Sequence, residues 1–154
     1  RCADVTGVQT CALPILIDKY GADTLRFSLV SGVSAGNDIR FSEDKVEGTR
    51  NFINKLWNAS RFVLMNCDGA DIKDVSECKL SVADKWIISR LNDTIKQVTL
   101  NMEKFEIGLA AATAHDFVWY DFCDWYIELT KPALYSDDAK VKNDTLSVLC
   151  YVLG

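Results

Sequence analysis

From Glu43 the chain settles into a long amphipathic repeat. The stretch "EDKVEGTRNFINKLWNASRFVLMN" holds no proline, and Val46, Ile53, Leu56 or Trp57, Ser60 and Val63 or Leu64 trace an apolar stripe at helical spacing. Ser42 reads as its N-cap, with Glu43 and Asp44 complementing the positive end of the helix. Arg50, Asn54, Lys55, Asn58 and Arg61 recur beside the stripe and share a polar face. "CDGADIKDVSECKLS" is a loop, and its Asp68-Gly69 pair is the stop signal. Ser81 with Asp84 three residues on reads as a capping box with Asp in place of Glu or Gln. The helix that follows carries Ile87, Leu91, Ile95, Val98 and Met102. A third helix from Glu106 has the small residues Ala110, Ala111, Ala112 and Ala114, then a stripe of Val118, Phe122, Trp125 and Leu129, with Pro132 expected to kink or end it. A last helix begins at about Asp137.

Upstream, "LIDKYGADTLRFSLVSG" fits one short helix through Ile17, Tyr20, Thr24 and Phe27. Gly32 and Gly36 bracket a turn, and "DIRFS" alternates as a short strand would, with Ile39 and Phe41 on one side. The pattern predicts a mainly α protein, an antiparallel helix bundle over residues 43–154, preceded by a small mixed α/β connector over residues 16–42. Residues 1–15, "RCADVTGVQTCALPI", show neither helical nor alternating period and read as a non-native read-through segment. "SVLCYVLG" stops inside an apolar helical pattern, so the bundle is expected to be truncated there.

Composition narrows what such a bundle does. With 154 residues, about half of them apolar, the chain can bury a core. Its net charge of −5 argues against indiscriminate coating of nucleic acid, while leaving room for a local basic strip. Six cysteines form no CxxC pair and the single histidine, His115, stands apart, so no metal site is expected. Scattered thiols suit a reduced, cytoplasmic protein, and no stretch is long and apolar enough to span a membrane. No Walker loop or GxGxxG is present.

The densest chemistry is "DFCDWYIELTKP". Asp121, Asp124 and Glu128 step by three and four and so are expected on one helix face, without an opposing acid/base partner. Cys123 has no base nearby, because His115 lies two helical turns away. Phe117, Trp119, Tyr120, Phe122, Trp125 and Tyr126 could stack bases, although bundle core is the favoured reading. The Arg50 to Arg61 strip suits either a solvated face or contacts to RNA phosphates and base edges.

"YGADTLRFSLVSG", "AGNDIRFS", "RNFINKLWNASRF" and "FCDWYIELTKP" together resemble valyl-tRNA synthetase, a class I aminoacyl-tRNA synthetase family, in that family's order and spacing from Leu16 to Gly154. The resemblance implies that residues like Ile17 to Ser42 form the stem-contact connector after the catalytic lysine loop. The helices after it would form the anticodon-binding domain. The intact enzyme would activate valine with ATP and Mg and attach it to valine tRNA. This chain lacks the His-Ile-Gly-His-type signature, the lysine loop and the editing domain, so the fragment alone is expected to be inactive and to hold no cofactor. Expected partners are valine tRNA and the remainder of the synthetase, not DNA or a membrane. The anticodon-contacting Asn of the class matches Asn58, while its basic residue four positions on falls on Phe62, with Arg61 one step earlier. Arg50, Asn54 and Lys55 join as tRNA-binding candidates from the shared face, and Trp57 is assigned to packing. The alternatives are a helical protein-interaction module or the equivalent region of isoleucyl-tRNA synthetase.

Overall fold

The computed structural model describes residues 14–32 and 42–154. Residues 14–20 are helical (α1), and Gly21, at φ +90°, turns the chain into α2 (Ala22–Val30). That backbone suits glycine, which has no Cβ to clash. The strand expected around Ile39 and Phe41 lies outside the described residues. The described part of 16–42 is helix and turn only, which gives the mixed α/β connector no support there.

Local signals fix the long helices. Ser42 caps α3 (Glu43–Asn66), its Oγ accepting the Lys45 amide at 3.2 Å. Gly69, at φ +72°, follows the end of α3. The loop to the next helix contains a 3-10 turn (Val75–Glu77) capped by Asp74. α4 (Val82–Glu103) starts on a complete capping box: Ser81 Oγ accepts the Asp84 amide, and the Asp84 carboxylate accepts the Ser81 amide. α5 (Ile107–Asp116) runs unbroken into a π-helical segment (Phe117–Tyr126) and then α6 (Ile127–Leu134). Pro132 lies inside α6, in its last turn, and does not stop the helix before Leu134. Asp138 caps α7 (Ala139–Leu153) by accepting the Lys140 and Val141 amides.

Four rods make the bundle: α3, α4, the continuous α5–π–α6 rod, and α7. The long rod and α7 each pack against both α3 and α4. Val63, Ile87, Phe122, Tyr126, Leu146, Val148 and Leu149 meet in the core. Six consecutive residues of α7, Asp144 to Leu149, are buried, so α7 is covered nearly all round. Its polar members are used: Asp144 accepts the Lys79 amide and Ser147 accepts the Lys73 amide, strapping the α3–α4 loop to α7. α2 packs on α3 and α5, with Phe27 and Phe52 ring centroids 5.1 Å apart, and Lys45 Nζ donates to the Ser31 carbonyl.

Several apolar stripes differ from the expected ones. In α3 the buried face is Val46, Thr49, Phe52, Ala59 and Val63, while Trp57 is 70% exposed and Leu64 65% exposed. Among the described residues, Trp57 is therefore not a packing residue. In α4, Ile87 is buried, but Ile95 and Met102 are exposed. The largest departure is in the π segment, where hydrogen bonds reach back five residues rather than four. The buried set becomes Phe117, Phe122, Tyr126, Ile127, Thr130 and Leu134, and Trp125 and Leu129 turn outward.

Candidate nucleic-acid interface

The same π register separates the carboxylates expected on one face. Asp121 accepts from Arg90 of α4 at 2.9 Å, Asp124 accepts from Lys55 of α3, and Glu128 pairs with Lys131 one turn on. Each carboxylate has a cation of its own, and together they form no acid/base centre. Burial, as the largest influence, pushes the Cys123 thiol up, opposed by the Lys55 charge, so Cys123 is not an activated nucleophile. His115 is half-buried among rings, 4.4 Å from the Phe52 centroid and 5.6 Å from that of Trp119.

The candidate strip on α3 divides in two. Asn54, Lys55 and Asn58 line a groove of about 590 Å³ between α3 and the π–α6 rod. Lys55 Nζ also sits 4.0 Å above the Trp119 ring, so its stem is held while its charge is balanced by Asp124. Arg50 and Arg61 are exposed on α3 but do not line this groove. Neither forms an ion pair among the described residues. Arg61 instead borders a separate hollow with Trp57, Ser60, Leu64, Met65 and Asp68.

The groove also contains residues outside the candidate strip. Asn51 adds a third amide, Phe62 supplies an aromatic wall one turn beyond Asn58, and Lys131 and Tyr135 close the side made by α6. Phe62 belongs to the apolar positions of α3, which hid it. Chemically, the groove offers neutral donors and acceptors beside an aromatic ring, with both lysines already paired to carboxylates. That composition fits hydrogen-bonded base edges and ring stacking better than a run of phosphates.

Comparison with known proteins finds similarity along most of the chain. Residues 84–154, from the first turn of α4 through α7, match the model of the anticodon-binding domain of tRNA ligase. Over 139 residues, 90% of this chain, it is 57% identical to the valine–tRNA ligase of Clostridium tetani. The chain is homologous to a segment of the valine–tRNA ligases. Those of Clostridium perfringens and Listeria monocytogenes are 55% and 54% identical over 140 residues, again 90% of the chain. The chain spans 16% of the length of each of these valine–tRNA ligases. The groove thus joins α6, inside the matched anticodon-binding region, to α3, which precedes it.

Proposed function

We propose that this chain is the tRNA-reading part of a valine–tRNA ligase and that the groove between α3 and the π–α6 rod receives anticodon-loop bases of valine tRNA. The observation that supports it is the grouping of Asn51, Asn54 and Asn58 with Phe62 along one groove. Unpaired loop bases present their edges and faces to side chains, whereas the bases of an A-form duplex are hidden in its deep major groove. Arg50 and Arg61, exposed on either side of these amides in sequence, would hold backbone phosphates rather than bases.

In the intact enzyme, valine activation with ATP and Mg and transfer to tRNA would take place in the catalytic domain, outside this segment. The bundle would contribute placement. A rigid helical body that grips the anticodon fixes the position of the distant acceptor end, so base contacts are converted into correct alignment. The expected setting is the cytoplasm, and among the described residues no helix is long and apolar enough to cross a membrane.

One observation favours a second reading, a helical protein-interaction module. Trp57, Leu64 and Met65 form an exposed apolar patch around Arg61, in a hollow separate from the groove. Competition separates the two. Bound, labelled valine tRNA should be displaced by an isolated anticodon stem-loop and not by an acceptor-stem hairpin. Failure of the stem-loop to compete would overturn the tRNA-reading proposal.

A further inference from the structure

At the end of α3 remote from Ser42, two thiols meet. Cys67 is the C-cap of α3 and Cys150 lies in the last turn of α7, 83 residues on, with their Sγ atoms 2.9 Å apart. A disulfide bond is about 2.05 Å long, so closing one here requires the sulfurs to approach by less than about 1 Å. Both residues are free cysteines, half-buried against the core yet with some surface exposed. The other described cysteines lack such a neighbour: Cys78 hydrogen-bonds to the Asp74 carbonyl, and Cys123 faces Lys55 and Asp124. A metal does not explain the pair, because no third His, Cys, Asp or Glu completes a ligand set among the described residues.

We infer that Cys67 and Cys150 are an oxidation site, a dithiol that a hydroperoxide converts into a disulfide fastening the end of α3 to α7. Burial, then the hydrogen bond and charge of Cys67, push the Cys150 thiol up to about 12, so at neutral pH Cys150 stays protonated and the first attack falls to Cys67. The Cys67 thiolate attacks one peroxide oxygen. An S–O bond forms, the O–O bond breaks, and hydroxide leaves, giving a sulfenic acid. The Cys150 sulfur then attacks the Cys67 sulfur. The S–S bond forms, the S–O bond breaks, and the Cys150 proton departs with the hydroxide as water. In total, two electrons pass from the two sulfurs to the peroxide. The link joins residues far apart in sequence and narrows the unfolded ensemble, so the oxidised chain gains stability. None of this depends on what the groove binds.

The test is a peptide map of the chain after treatment with hydrogen peroxide, alkylation of remaining thiols and digestion. The expected result is a Cys67–Cys150 linked peptide that disappears on reduction with dithiothreitol, with a melting temperature raised on the order of 10 °C before reduction. In Cys150→Ser the reaction should stop at a Cys67 sulfenic acid that dimedone traps. The map of the unsubstituted chain stands even if that variant fails to fold. Recovery of Cys67 and Cys150 as separate alkylated peptides under conditions that oxidise Cys78 or Cys123 would overturn the inference. So would links from Cys67 to those cysteines as abundant as the link to Cys150.

Discussion

The Tyr126 hydroxyl donates a 2.6 Å hydrogen bond to Asp84 Oδ1, joining the π segment to the first turn of α4 in the buried core. The other Asp84 oxygen accepts the Ser81 amide at 2.8 Å. One carboxylate therefore completes a helix cap and fixes the register of the rod that forms one wall of the groove. Burial first, then the hydrogen bond and charge of Asp84, hold the Tyr126 phenol protonated well above its ordinary range.

Tyr126→Phe leaves one buried carboxylate oxygen without its partner. It should cost about 1.5–3 kcal/mol in urea unfolding at neutral pH.

The same pair sets an alkaline limit. Below about pH 10 the phenol is neutral in both folded and unfolded chains, and its contribution is fully present. Above that, only the unfolded chain can release the proton, so stability falls as pH rises toward the folded-state value. The gap in unfolding free energy between the parent chain and Tyr126→Phe should shrink by about 1.4 kcal/mol per pH unit above pH 10. A gap that stays constant from about pH 9 to about pH 11 would refute this role for Tyr126.

Phe105 is a residue whose replacement should help. It holds φ +58° at the turn between α4 and α5, where its amide bonds to the Met102 carbonyl and the Glu106 amide bonds to the Asn101 carbonyl. This is a helix C-terminal motif that favours glycine, and the ring is 83% exposed, so little packing is lost with it. Phe105→Gly should stabilise the chain by about 1 kcal/mol, while Phe105→Ala, which keeps the Cβ, should change it much less. Equal effects of the two in thermal melts would show that backbone strain is not the cause.

Two aromatic residues test where the core lies. Trp57→Ala should alter stability by no more than about 0.5 kcal/mol, whereas Phe122→Ala should cost about 3–5 kcal/mol. Comparable losses in urea melts would place Trp57 against protein rather than solvent.

The sequence was most legible where structure is decided within a few residues. Ser42, the Ser81–Asp84 box and the Asp68-Gly69 stop are read from local hydrogen-bonding chemistry, and the helix bounds follow from them. The stripes were less legible, because amphipathic spacing shows that a helix has an apolar side but the neighbours decide how far round it is covered. Trp57 and Ile95 are apolar positions that the bundle leaves exposed. The π segment was invisible to a search for a 3.6-residue period, so Trp125 was expected inside and the three carboxylates on one face. At the candidate site, Asn54, Lys55 and Asn58 were found from the polarity of α3. Their separation from Arg50 and Arg61 depends on Lys131 and Tyr135 of a distant helix, which spacing within α3 cannot reveal.

The most direct test of the central proposal is a binding cycle that pairs a groove residue with an anticodon base. Affinity for valine tRNA, measured at fixed salt, is compared between the parent chain and Asn58→Ala, each with the native tRNA and with one whose anticodon bases are exchanged. The account predicts that Asn58→Ala weakens binding of the native tRNA about tenfold, consistent with the loss of a base contact, and has little further effect once the anticodon is changed. Unchanged affinity, or an equal loss on both tRNAs, would contradict base reading by the groove.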